Sequence, residues 1–184
     1  MRLRNKLPVV LVHGFMGWGD KDNLDKFFPY FGYGVRDSLL SKDNSQNIYN
    51  VPVHVASVGP FSSFWDRACE LIAQIKGIRV DYTEEHIKDN PHDRYGKDYT
   101  GKGFHPNWDE NNPVHLVGHS AGGHTCTYAQ YILANDLLGI GSNENWIKSI
   151  SGISPSWNGG VIPYSLGVNS TDGTLDTFLG KVIS

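Results

Sequence analysis

The decapeptide Val114-His115-Leu116-Val117-Gly118-His119-Ser120-Ala121-Gly122-Gly123 constrains this chain more than any other stretch of it. An apolar run leads into Gly-x-Ser-x-Gly, and residues 121–138 then have the composition of a helix stopped by Gly139. A turn this sharp between strand and helix forces the serine into a strained conformation with its hydroxyl exposed. Glycine is needed at positions 118 and 122, because a side chain at either would collide across the turn. Ser120 is placed at a helix N-terminus, where free N–H groups and the dipole favour developing negative charge. In a chain with 21 glycines the five-residue pattern alone could arise by chance. The strand before it and the helix after it make it a nucleophile elbow.

The rest of the chain supplies partners for that strand and helix. Residues 9–12, Val-Val-Leu-Val after Pro8, suit a strand buried on both faces of a parallel sheet. Gly14, Gly17 and Gly19 then open a loop; Pro29, Gly32 and Gly34 keep residues 20–34 irregular, and a short helix is predicted at 35–41. Residues 48–58, with Val51, Val53 and Val55 alternating, read as a second strand region ending at Gly59-Pro60. A helix follows from Ser62 or Ser63, either one a good N-cap, to Lys76-Gly77, with Phe64, Ala68, Leu71, Ile72 and Ile75 on one face. Residues 146–153 give a further strand ending at Pro155, and a short helix is predicted at 175–179. Strands alternating with helices predict an α/β fold, a mostly parallel sheet flanked by helices, in a single domain over residues 1–184. Residues 81–112 stand apart as an insertion that is polar, aromatic and without a period, which makes it functional or tied down by something.

Composition excludes several alternatives. A net charge of −3 with scattered Lys and Arg leaves no nucleic-acid footprint. No apolar run reaches the length of a transmembrane segment. The basic start at residues 1–6 is followed by too short an apolar stretch for a signal peptide, so none is visible. Cys69 and Cys126 could pair, but a chain of 184 residues needs no staple, and two free, packed thiols are expected.

A serine nucleophile needs two oxyanion donors and a base. The N–H after the serine, that of Ala121, is one donor; the His13-Gly14-Phe15 turn after the first strand offers the second, from Phe15. His13 reads as a structural residue beside that loop. In elbow enzymes the order is Ser, then Asp or Glu, then His. After Ser120 the remaining histidine is His124, one turn into the same helix and poorly placed to reach the hydroxyl. Asp136, Glu144, Asp172 and Asp176 follow, with no downstream histidine to orient.

Longer stretches carry a resemblance. Residues 8–19 (PVVLVHGFMGWG), Gly34-Val35-Arg36, Val58-Gly59-Pro60 with Ser62-Ser63, residues 65–70 (WDRACE), Val80-Asp81-Tyr82, Arg94-Tyr95-Gly96 and the elbow together resemble the large zinc-binding triacylglycerol lipases of bacilli and staphylococci, within the α/β-hydrolase fold. The resemblance implies hydrolysis of triacylglycerols and other lipid esters at an oil–water interface, an acyl-enzyme route, a lid over an apolar acyl pocket, and secretion. It also implies a structural zinc held by Asp66, His86 and His92, whose spacing agrees with the family's. Carboxylate and imidazole are good zinc ligands, and Pro91 requires the two histidines to converge from a folded loop. The family's fourth ligand, an aspartate farther along, is absent, and its calcium site falls in a part of the family's sequence that this chain does not contain. Two departures stand out: Ala121 where the family commonly has Gln, and Ser154-Pro155-Ser156-Trp157 where it has a Thr-Pro-His-type turn.

Three expectations follow. The first is an N-terminal part of a longer lipase, its sheet truncated before the last strands, with nucleophile and oxyanion hole but without the Asp and His. The alternative is a catalytically inactive lipase-like module binding lipid or protein. A third is an esterase that uses His13 or His119 as base. A sheet stopped at this point would leave a bare edge and poor solubility.

Overall fold

The structure, a computed structural model, describes residues 7–20, 22–35, 52–159 and 169. The helix predicted at 175–179, strand residues 48–51 and all of the 35–41 helix beyond Val35 lie outside the described residues.

Strand β1 (Val9–Val12) is apolar at every position because both of its faces are covered. It pairs in parallel with β2 (Val53–Ala56) on one side and with β5 (Val114–His119) on the other. β6 (Ile147–Ile153) adds in parallel beyond β5, giving the order β2-β1-β5-β6. Along β1 the pleat sends Val10 and Val12 to one face, where helices α1 (Phe64–Lys76) and α3 (Ala121–Ala134) bury Ala68, Leu71, Ile72, Ile75, Ile132 and Leu133 against them. Leu11 goes to the opposite face with Val53 and Val55, covered in part by Phe31. Cys69 and Cys126 are free and buried in the larger core, as expected, and burial raises the pKa of both thiols, that of Cys126 to about 12.

Three expectations need correction. Phe64 leaves the apolar stripe of α1: in the first turn it overhangs the sheet and remains 36% exposed, facing a cleft. The nucleophile helix ends at Ala134, not Leu138, because Asp136 adopts a positive φ of 46° and its carboxylate accepts from the N–H groups of Ile140, Gly141 and Ser142. Residues 81–112 are not irregular throughout. They begin with the end of β3 (Arg79–Asp81), continue as the short helix α2 (Glu84–Asp89), and return as β4 (Tyr95–Asp98), antiparallel to β3. The remainder is pinned without regular structure. Phe104 and His105 donate their backbone N–H groups to Gln74 O and Ile75 O of α1, and the fully buried Trp108 donates its indole N–H to Trp146 O at 2.7 Å.

Candidate active site

β1 runs to β2 on one side and, through α1 and the β3–β4 hairpin, to β5 on the other, so the chain changes direction between β1 and β5. Crevices at such switch points are where parallel sheets carry their sites. Ser120 stands there, at the N-cap of α3 with φ 52° and ψ −123°, held by its own N–H to Ile153 O at 3.0 Å. That positive φ is a strained conformation for serine, as the elbow requires. A Cβ on Gly118 would overlap the backbone of Gly122, and one on Gly122 would overlap Val12 O. The loop after β1 is equally tight: a Cβ on Gly14 would come within 2.9 Å of the Ser120 Cβ.

Phe15 and Ala121 line one cleft of about 530 Å³ beside this serine. Its other walls include Pro60, Phe61, Phe64, Trp65, Arg67, His86 and Tyr128. Phe15, Phe61 and Tyr128 are 50%, 60% and 42% exposed, an unusual density of bare aromatic surface beside a polar turn. Among the described residues, neither the Phe15 nor the Ala121 backbone N–H donates to another protein group.

The histidines around the serine are engaged elsewhere. His13 is fully buried; its Nδ1 donates to Gly14 O at 2.9 Å, and Nε2 lies 3.2 Å from Val58 N and 3.1 Å from Val58 O. Burial first, and the nearby Arg67 charge as well, lower its pKa. The ring is therefore neutral, and Nε2 accepts from the Val58 N–H. His119 accepts at Nδ1 from the Tyr30 hydroxyl at 2.6 Å. His124 turns away, with Nε2 3.3 Å from Ser156 Oγ and its ring against Phe64. The structural reading of His13 and the exclusion of His124 both agree with this geometry.

Asp66, His86 and His92 also converge, with one ligating atom from each within 4.8 Å of the others. Asp66 comes from the first turn of α1, His86 from α2 and His92 from the turn after Pro91. His86 Nε2 and His92 Nε2 lie 3.1 and 3.5 Å from the same carboxylate oxygen, Asp66 Oδ1. Asp66 Oδ1 and His86 Nε2 are both buried, yet they are not aligned as a hydrogen bond and neither has a hydrogen-bond partner. The other Asp66 oxygen accepts from Ser63 Oγ at 2.9 Å, and His92 Nδ1 donates to Asp93 O, which leaves its Nε2 with a lone pair. The Trp65 indole stacks on His86.

The roles of several residues at the site went unread, although Arg67 and Glu70 fall within the WDRACE stretch that carries the resemblance. Tyr30 bridges the Gly14 N–H and His119, and the buried Arg67 and half-buried Glu70 grip the loop at Gly59. Glu70 Oε2 accepts from Gly59 N at 2.5 Å and Oε1 from the Tyr82 hydroxyl at 3.0 Å, while burial raises its pKa against both bonds. The available signal was two charges, three residues apart, beside the apolar stripe of α1.

A parallel sheet with a strand–turn–helix of this kind at its switch point defines the α/β-hydrolase fold. The sequence matches the family described as "Lipase-like, C-terminal domain" over residues 5–169, and the chain belongs to it. It is 43% identical over 159 residues to Lipase 2 of Staphylococcus aureus, covering 85% of this chain and 21% of that lipase. Among solved structures it is similar to EstA from Clostridium botulinum (TM-score 0.73, 33% identity, 98% of this chain and 43% of that one). Lipase 1 from Pelosinus fermentans is similar too (TM-score 0.70, 34% identity, 88% of this chain and 44% of that one). The chain thus spans less than half the length of each of these relatives.

Proposed function

We propose that the protein hydrolyses carboxylic esters of the triacylglycerol type through an acyl-enzyme on Ser120. The observation that carries this reading is the strained Ser120 packed against the Gly14 loop, next to an apolar cleft that Phe15 and Ala121 line. Ser120 Oγ attacks the ester carbonyl carbon and loses its proton to a base. The carbonyl oxygen gains negative charge opposite the Phe15 and Ala121 N–H groups, whose free donors and helix-terminal dipole stabilise it. The C–O bond then breaks and the alcohol leaves with a proton; water releases the acid from the acyl-serine by the reverse sequence. The acyl chain lies along Phe15, Phe61, Phe64 and Tyr128. This chain supplies the nucleophile and both donors; the base and the carboxylate that orients it are assigned to none of its described residues.

A phosphonate ester probe tests the assignment. An adduct on Ser120 is expected, with adduct and ester turnover both lost in Ser120→Ala. Vesicle binding by a protein that forms no adduct and turns over no ester would instead favour the alternative, a catalytically silent lipid-binding module. The specific support for that alternative is that no described histidine is hydrogen-bonded to Ser120 Oγ.

Asp66, His86 and His92 fit a structural zinc. Two nitrogens and a carboxylate oxygen suit the ion, and the unpartnered Asp66 Oδ1 and His86 Nε2 face each other where a cation would satisfy both. Bound there, zinc would clamp α1 to α2 and to the turn before β4, and would take no part in the ester chemistry. Secretion belongs to the same reading; no helix among the described residues is long and apolar enough to cross a membrane.

A further inference from the structure

Helix α1 carries a buried cation whose partners all lie on segments that flank the site. Arg67 is 2% exposed. Its Nη2 donates to His13 O at 2.5 Å, Nη1 to Gly59 O at 2.6 Å and Nε to Thr125 Oγ1 at 2.9 Å. These acceptors lie on the loop after β1, the loop after β2, and α3. Among the described residues, no carboxylate pairs with this guanidinium. Burying a charge on neutral acceptors is costly, and an apolar side chain of the same volume would fill the core at lower cost.

The bonds have a geometrical consequence. The His13–Gly14 peptide is held at both ends, its carbonyl by Arg67 and its N–H by the Tyr30 hydroxyl at 3.0 Å. The next carbonyl, Gly14 O, accepts from His13 Nδ1 and from Gly17 N. In a trans peptide C=O and N–H point in opposite directions. Fixing Gly14 O toward His13 therefore turns the Phe15 N–H the other way. On α3, the Thr125 hydroxyl that accepts from Arg67 donates in turn to Ala121 O at 3.2 Å. One planar fork thus connects the segments bearing both N–H donors, at a guanidinium with five donors in fixed directions.

Building on the reading of Ser120 as nucleophile, we propose that Arg67 is the positioning residue that sets the Phe15 and Ala121 N–H groups at the separation an ester oxyanion requires. His13 acts with it by orienting the Gly14–Phe15 peptide. Both act through the backbone they hold: His13 is fully buried, and Arg67 borders the cleft with only 2% of its surface exposed.

The test uses Arg67→Lys, which keeps the charge but cannot reach three acceptors with one ammonium, and Thr125→Val, which cuts only the link to α3. For p-nitrophenyl butyrate, kcat is expected to fall about 100-fold in Arg67→Lys with KM changed less than about threefold, since displacing a donor by an ångström has that cost. Affinity for a trifluoromethyl ketone, whose adduct carries the oxyanion, falls in step. Amide exchange at Gly14, Phe15 and Gly17 accelerates about tenfold or more, while that of Leu11 in β1 does not change. Thr125→Val shows the same pattern more weakly, and carries the test should Arg67→Lys fail to fold. Unchanged loop exchange, or faster exchange with kcat intact, overturns the proposal. Turnover that survives in Ser120→Ala would sink the hydrolase reading instead, and loop exchange alone would then decide on Arg67.

Discussion

Single residues at this site are constrained by backbone atoms more than by side chains. A methyl at Gly122 would overlap Val12 O, and one at Gly118 would overlap the start of α3, so nothing flexible can yield. Gly122→Ala is expected to prevent soluble expression or to destabilise by more than about 3 kcal/mol, a range reached when packed backbone must move. Gly139→Ala is the control: its φ of 63° is unfavourable for alanine, but nothing lies within 4 Å, so a loss of only about 1–2 kcal/mol is expected in denaturant unfolding. Equal losses would mean that the elbow is looser than drawn. His13 gives a pH prediction. Its folded pKa is lowered, chiefly by burial, so the unfolded chain binds more protons than the native one once pH falls below the ordinary histidine value of 6.5. Stability is therefore expected to be highest above that value and to fall as pH drops from it toward the folded pKa. Unfolding from pH 7.5 to 5 with chelator present measures this, and His13→Asn should flatten the slope without abolishing it, because burial also lowers the pKa of His115. Ser120 and its glycines were legible because a strained turn restricts residue types at consecutive positions. The role of Arg67, which stood in the WDRACE stretch only as part of a resemblance, was not, because its acceptors lie 8, 54 and 58 residues away and leave no local pattern.

At the level of elements, boundaries set by caps were readable and boundaries set by distant bonds were not. Helix α1 stops at Lys76 because Gly77 adopts φ 80°, and it starts after Ser63, whose Oγ accepts from Asp66 N at 3.1 Å. The sequence left Ser62 and Ser63 equal as N-caps; the geometry selects Ser63. Ser63→Ala is expected to lower the unfolding free energy by about 1 kcal/mol and Ser62→Ala by much less, in parallel thermal melts. The reverse order would return the cap to Ser62. The end of α3 escaped the same reasoning because Asp136 closes it through N–H groups four to six residues onward. The hairpin of β3 and β4 escaped because its strands are three and four residues long and mostly exposed, and so lack an apolar alternation to read. Of the parallel strands in the described sheet, β1, β2 and β5 carry buried apolar residues at alternate positions or more, while β6 is buried only at Ile147; all four were visible in the sequence.

At the scale of the molecule, the described residues divide into a sheet with two covering helices and a polar appendage built from β3, α2 and β4. Burial secures the first: β1, β2, β5, α1 and α3 share a continuous core, which of the appendage's strands and helix only Val80 of β3 enters. The appendage has no buried residue in α2, and beyond its packing on α1 it is joined there by the Trp65 indole bonded to Tyr82 O and by the cluster of Asp66, His86 and His92. A metal at that cluster would thus act as a cross-brace between two units, binding only when the fold has brought α1 and α2 together. A ligand that binds the native state alone, at about 100 times its dissociation constant, adds about 2.7 kcal/mol. In a chain of this size that corresponds to about 5–10 °C in Tm. Zinc-loaded protein is expected to lose that increment on treatment with a strong chelator and to regain it with added zinc. His92→Ala should melt at the same temperature with and without metal, close to the chelated wild type. Exchange measured on the chelated protein should show loosening first at α2 and β4, with the β1 and β5 amides still protected, because the sheet draws its stability from the core and not from the cluster. An identical Tm for loaded and chelated wild type would remove the metal from the account. The order of the appendage would then rest on the Trp65 bond and on the Arg94–Asp81 pair, where two guanidinium nitrogens each lie 2.9 Å from a carboxylate oxygen.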